Sequence, residues 1–254
     1  MINWVGLYTF IRRETERFLR VTIQTLITPW ISALLYIFIF GHVIGKRIDF
    51  MAGVEYIDFV LPGLIMMNII MSSFSQTSSS LYFQRFARHI EEVLVAPLSY
   101  LEMIIGYVIG GVVRSMIVGL GVFFIAVFFS AANLDNFLLF LFYSLSVAVV
   151  FAFIGLLVGL WAKHFEHLAV LNTFVIMPLS FLGGIFNSIT MLPPALQTVV
   201  KFNPFFYFID GLRYSMIGIQ EANAVIGLFV IFSLIICLGC LVWYLFKIGY
   251  KIRE

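Results

Sequence analysis

FVLPGLIMMNIIMSSFSQTSSSLYFQ, residues 59–84, contains no Asp, Glu, Lys or Arg. As a helix these 26 residues measure roughly 39 Å, more than the ~30 Å hydrocarbon core of a bilayer. Five further charge-free runs cover residues 21–45, 115–134, 136–162, 167–200 and 222–246. Six runs of this kind do not fit inside a soluble globule of 254 residues. The chain therefore reads as an all-α polytopic membrane protein.

Composition agrees: 62% of residues are hydrophobic, 11% are charged, and Phe alone fills 29 positions. No Gly-, Ser- or acid-rich tract is long enough for a linker, so residues 1–254 are expected to form a single membrane domain. The net charge of +2 gives no sign of a nucleic-acid partner. Six transmembrane helices are expected, within 26–44, 59–80, 103–130, 137–161, 168–189 and 225–246. The N-terminus carries Arg12, Arg13, Arg17 and Arg20 and no cleavage-site pattern, so the first span is expected to act as its own insertion signal.

The Lys and Arg residues set the orientation. With six spans, Arg12, Arg13, Arg17, Arg20, Arg85, Arg88, Lys163, Lys247, Lys251 and Arg253 share the side of both termini, while Lys46, Arg47, Lys201 and Arg213 lie opposite. The excess predicts cytoplasmic termini. Residues 1–20 read as an amphipathic interfacial helix. Trp4, Leu7, Tyr8, Ile11, Thr15 and Phe18 form one face, and Arg13, Glu16, Arg17 and Arg20 the other. Such a helix suits the membrane surface or the inner ends of the bundle.

Four places stand out as functional candidates. Residues 81–97 (LYFQRFARHIEEVLVAP) predict an amphipathic helix joining spans 2 and 3. Phe83, Phe86, Ile90, Val93 and Leu94 form one stripe; Arg85, Arg88, His89 and Glu92 form the other, with Arg88 and Glu92 spaced to pair. The second span ends in a polar run, Ser72–Ser80, in which Asn68, Ser72, Ser75 and Ser79 make a continuous stripe. That stripe lines a path or packs helices closely, and the two roles are compatible. Arg114, deep in span 3, either contacts a cargo headgroup or gates the path, or else snorkels or bonds to carbonyls. Finally, run 167–200 is too long for one straight span. Gly183-Gly184, Pro193-Pro194 and Asn203-Pro204 break it, so residues 190–220 are expected to be short re-entrant helices where Asp210 and Arg213 can pair.

Other patterns are weaker. Cys237 and Cys240, inside the last span, read as packing residues rather than a redox or zinc pair. His164 and His167 flank Glu166 on a short loop with too few ligands, and no metal site is expected. Gly106/Gly110 and Gly155/Gly159 are small-xxx-small motifs for tight helix packing. The chain has no G-x-x-x-x-G-K-[ST] loop, so any energy comes from a partner or a gradient. No Gly-x-Ser-x-Gly elbow, His-Glu-x-x-His helix or pair of intramembrane carboxylates argues for an enzyme.

RHIEEVLVAPLSYLEMIIGYVIGG (88–111), LPPALQTVVKFNPFFYFIDGLRYSMIG (192–218) and the opening from Arg20 through PGLIMM at 62–67 resemble type-2 ATP-binding-cassette (ABC-2) permeases, the membrane subunits of bacterial exporters. The likeness spans nearly the whole chain. It is strongest to short permeases grouped with multidrug and nodulation-type lipo-oligosaccharide exporters. The resemblance implies that 81–97 is a coupling helix seated in a separate ATPase subunit, with Arg85, Phe86, Arg88, His89, Glu91 and Glu92 as contacts. It implies a homodimer, or a pseudo-symmetric heterodimer, with two ATPase subunits. ATP and Mg would be bound by those subunits, with no cofactor in this chain. Asn68, Ser72, Ser75, Ser79, Arg114, Asn172 and Phe181 would form the translocation path or dimer interface, and Asn203, Pro204, Asp210 and Arg213 an outer gate. The expected cargo is lipid-linked, hydrophobic or amphiphilic, moved outward across the bacterial inner membrane. The alternative is a gradient-driven secondary transporter or channel, disfavoured because Arg114 has no acidic partner in any span.

Overall fold

The computed structural model describes residues 3–44, 50–129 and 134–252. Lys46, Arg47 and Arg253, which count in the charge bias, and Ser130 at the end of the expected third span lie outside the described residues. Helices make up almost all of what is described. They are α1 (Trp4–Leu19), α2 (Thr28–Phe38), α3 (Tyr56–Phe86), α4 (Ile90–Val95), α5 (Tyr100–Phe129), α6 (Phe137–Trp161), α7 (Glu166–Leu171), α8 (Met177–Leu182), α9 (Pro194–Phe202), α10 (Pro204–Ile217) and α11 (Ala224–Ile248). Two antiparallel strands of two residues each, Phe50–Met51 (β1) and Val54–Glu55 (β2), precede α3. Their turn has positive φ at Ala52 (52°) and Gly53 (89°), the pattern of the tight hairpin turn that matches strand twist.

Among the described residues five helical stretches are long and apolar enough to cross a membrane: Ile23–Gly41, Tyr56–Phe86, Tyr100–Phe128, Phe137–Trp161 and Ala224–Ile248. The first is wider than α2 because π-helical turns, Ile23–Ile27 and Ile39–Ile44, flank it. The expected fifth span, 168–189, is shorter than predicted. α7, a π-helical turn at Asn172–Ile176 and α8 make one apolar helix, Glu166–Leu182, about 26 Å long. It stops where Gly184 takes φ 85°, a conformation a side-chain-bearing residue adopts only at a cost.

α3 is the axis of the bundle. It is buried along nearly all its length and packs chiefly on α5 and α6, with α10 against its N-terminal part. Glycines allow these approaches: Gly155 and Gly159 of α6 face Thr77, Ser78 and Leu81, and Gly111 of α5 faces Ser73 and Thr77. α11 lies at the periphery and turns Phe229, Phe232, Ile236 and Trp243 outward. Cys237 and Cys240 are exposed there as free thiols. They are not packing residues, because the side of α11 that meets its neighbours carries Ile231, Val242 and Phe246.

Both terminal segments meet at one end of the bundle. Phe10, Leu81, Ile90, Val93, Met103, Val242, Phe246 and Ile252 share one apolar cluster there. α1 is not free of the bundle. Its buried residues are Leu7, Phe10, Glu14 and Phe18, seated on α5 where Gly106 receives the Phe10 ring and Gly110 the Glu14 side chain. Trp4, Val5 and Tyr8 remain exposed. The predicted apolar face is thus rotated, because two glycines one turn apart open a groove that only the 7-10-14-18 stripe can fill. Glu102 ties the two helix starts together. It accepts from the Ser99 amide (2.6 Å) and hydroxyl (2.7 Å), and from the Asn3 amide (2.5 Å), a capping arrangement extended to a second helix.

Candidate functional site

The polar run of α3 divides into two sides with different roles. On the buried side Ser73 donates to the Ala148 carbonyl (2.6 Å) and Gln76 to the Glu14 carbonyl (3.3 Å). Ser80 (2.5 Å) and Gln84 (2.8 Å) donate to the Glu14 carboxylate, and the Tyr107 hydroxyl donates to Gln84 (2.7 Å). These are buried helix-to-helix bonds. On the other side Asn68, Met71, Ser75 and Ser79 stay half-buried. They form a ladder along an otherwise covered helix.

That ladder opens on a cavity of about 320 Å³ between α3, α5, the first span and the Glu166–Leu182 helix. Of the residues predicted for a path, Asn68, Ser72, Ser75, Arg114 and Asn172 all line it. Ser79 and Phe181 do not. Ser79 bonds back to the Ser75 carbonyl (2.6 Å), and Phe181 packs on Phe186 (ring centroids 5.5 Å). Gln24, Thr28, Ser32 and Tyr36 also line the cavity and were missed. Their spacing of four marks one polar stripe on an apolar helix, so the signal was present.

Arg114 is 8% exposed. Its Nη1 donates to Gln76 Oε1 at 3.3 Å and its Nη2 to the Thr25 carbonyl at 3.5 Å, while Nε has no partner. Pro29 has no N–H to offer the Thr25 carbonyl in an α-helical ladder, which leaves that oxygen available. The side chain does not snorkel to the bundle end.

At the termini end the predicted helix 81–97 is broken. Residues 81–86 continue α3, and Arg88 turns the chain with φ 59° before α4. Arg88 therefore does not pair with Glu92, which sits 3.5 Å from His89 instead. The expected apolar stripe splits likewise: Ile90 and Val93 are buried, but Phe83 and Phe86 are exposed. Arg85 turns inward. It donates to the carbonyls of Gly159 (2.7 Å), Leu160 (2.8 Å) and Lys251 (2.6 Å), satisfying the open end of α6 rather than facing outward. Arg88, His89, Glu91 and Glu92 are exposed. Beside them a cleft of about 690 Å³ separates α1 from the end of α3, with Arg12, Arg13, Arg17 and Arg20 on one wall and Phe83, His89 and Glu92 on the other.

At the opposite end Asp210 and Arg213 do not pair, because each is held by main chain. Asp210 accepts from the amides of Glu221 and Ala222, both at 2.9 Å. Arg213, fully buried, donates to the carbonyls of Phe59 (3.2 Å) and Gly184 (2.5 Å) and lies 3.8 Å over the Phe59 ring. Asn203 caps α10, accepting from the Phe205 amide (3.1 Å) and donating to the Leu179 carbonyl (2.7 Å), while Pro204 fills the first helical position. The Glu221 carboxylate bonds Ser188 and the Ile189 amide. Arg213 thus pins α10 to α3 and to the loop after α8, Asn203 ties its start to α8, and Asp210 holds the segment that follows it. Arg213→Lys keeps the charge but loses the two-pronged donor and the flat stacking surface. It is expected to cost about 2 kcal/mol, read as a lower midpoint in a thermal unfolding assay in detergent.

His164 and His167 stack edge to face, and His167 lies on Trp161. Among the described residues no cluster of His, Cys, Asp or Glu could hold a metal ion.

Comparison with known proteins places this geometry. The family model described as ABC-2 type transporter matches residues 6–217. The inner membrane transport permease YadH of Escherichia coli (strain K12) is 40% identical over 255 aligned residues, covering 100% of this chain and 99% of the relative. Nodulation protein J of Rhizobium meliloti (strain 1021) is 24% identical over 221 residues, 85% of this chain and 82% of the relative.

Proposed function

This chain belongs to the ABC-2 type transporter family, and on that premise we propose that it is the membrane-spanning half of an ATP-driven exporter, moving a lipid-linked, hydrophobic or amphiphilic cargo. Family membership makes it a transport permease of the inner membrane that works with ABC ATPase subunits. The finer reading rests on one observation: beyond its interior Pro62, α3 runs as one helix without further proline to the turn at Arg88, and the accessible ladder on that stretch adjoins the cavity. A push at the elbow therefore reaches the cavity wall through one rigid element.

In this reading the exposed residues around the elbow, Phe86, Arg88, His89, Glu91 and Glu92, meet the ATPase from the cytoplasm, where both termini also lie. The Glu166–Leu182 helix completes a sixth crossing, since α6 ends beside the termini and α11 begins at the opposite end. Two copies enclose the path, because Asn68, Ser75 and Ser79 stay accessible in one copy and polar groups facing lipid are costly. α9 and α10 cap the outer end.

The purified chain alone is expected neither to bind nor to hydrolyse ATP. In proteoliposomes, flip of an NBD-labelled short-chain lipid should appear only with the ATPase subunit and ATP present. Solute movement driven by a proton or sodium gradient without any ATPase would overturn the exporter reading in favour of a secondary transporter.

A further inference from the structure

We propose that the cavity beside Arg114 is an anion site that takes a phosphate-class group, brought in by the amphiphile being transported. The inference rests on the permease reading above and adds the chemistry of the cargo. Three observations carry it.

The first is unbalanced charge. Arg114 makes no ion pair among the described residues, and the charged neighbour it feels is a second cation, Arg17. Arg17 donates to the Gln76 carbonyl at 3.0 Å and lies 3.6 Å from Glu14, so the local carboxylate is already engaged. A guanidinium enclosed in the bilayer without a counter-charge is costly. An anionic group in the cavity would offset that cost.

The second is unused bonding capacity. Both bonds from Arg114, at 3.3 and 3.5 Å to neutral oxygens, exceed the ~2.7–2.9 Å of a charge-assisted pair. Its Nε is without a partner. The side chain is confined rather than satisfied, and Ser72 and Gln24 from two other helices also line the cavity.

The third is the shape of the walls. Two separate π-helical turns, Ile23–Ile27 and Asn172–Ile176, supply Gln24 and Asn172 to the cavity. Such turns concentrate at functional sites because they displace the ladder and re-aim side chains. Leu64, Met67, Met71 and Met177 give the cavity an apolar part beside its polar lining, as a site for a headgroup with attached acyl chains requires.

The test is binding in phosphatidylcholine nanodiscs without any ATPase, using dioctanoyl phosphatidic acid as probe and native mass spectrometry as readout. Arg114→Gln should lower retention about tenfold, and Arg114→Lys should hold it within about threefold of wild type. Ser75→Phe fills the cavity while leaving Arg114 intact and should also abolish retention, which keeps the test decisive if Arg114→Gln folds poorly. Inorganic phosphate at equal concentration distinguishes the source: no displacement assigns the site to a lipid headgroup, full displacement to a free anion. Equal retention by wild type and Arg114→Gln overturns the proposal. Because the assay contains no ATPase, that failure would leave the exporter reading standing, and a failed ATP-driven lipid flip would leave this result untouched.

Discussion

Gly155→Leu is expected to leave no correctly folded protein in the membrane. A Cβ at position 155 would lie 2.0 Å from Thr77 Oγ1, 2.7 Å from the Phe74 carbonyl and 3.1 Å from the Ser78 amide. The threonine hydroxyl could rotate away, but the carbonyl and amide are the backbone of α3 and cannot. α3 and α6 would have to separate at their closest crossing. That would break the Ser73–Ala148 bond and uncover Phe74, Val147 and Phe151, which are buried there. Overpacking of this kind costs about 3 kcal/mol or more when the obstacle is main chain. The measurement is yield and monodispersity on size-exclusion chromatography in mild detergent. Gly227→Ala is the control, since its Cβ would meet the Tyr207 side chain at an ordinary 3.6 Å and should be tolerated. Wild-type behaviour of the leucine variant would mean that the α3–α6 crossing is misplaced.

Phe86→Asp is expected to abolish coupling while leaving the chain folded. Phe86 closes α3 and is 74% exposed, stacked on Tyr82 with ring centroids 5.9 Å apart. Phe83 lies beside Tyr82 and 5.5 Å from Phe165, so four aromatic rings form one patch at the foot of the central helix. Exposed aromatic clusters of this type anchor protein partners. A carboxylate introduced there should remove roughly 2 kcal/mol of docking energy, about thirtyfold in ATP-driven transport, without touching the buried face of α3. Glu92→Arg, on the same side of the elbow, should act in the same direction. Both are read by co-purification of the ATPase subunit and by ATP-dependent flux. Normal flux in both would end the assignment of this surface to coupling.

Legibility varied with the range of the forces involved. The crossings were visible because a charge in hydrocarbon costs so much that charged residues are confined to the ends. The polar ladder on α3 was visible because helical spacing alone puts Asn68, Ser75 and Ser79 on one side. The elbow was hidden: Arg88 occupies the left-handed region, and an arginine gives no local sign of that. Asp210 and Arg213 suggested a pair by their spacing, yet amides and carbonyls from distant segments captured each one. Glu14 was not singled out by its helical position, and it lies beneath Ser80 and Gln84, held by partners more than 60 residues away.

Local chemistry was therefore enough to specify an all-helical membrane bundle and which side of α3 carries the polar ladder. These follow from water–lipid partitioning and helical periodicity, which act on neighbours along the chain. Which glycine receives which side chain, where Arg85 and Arg213 find their carbonyls, and how Arg114 comes to face Asn172 across one cavity became fixed only when distant helices packed. Close packing and buried hydrogen bonds depend on which surfaces meet, and no window of sequence contains both.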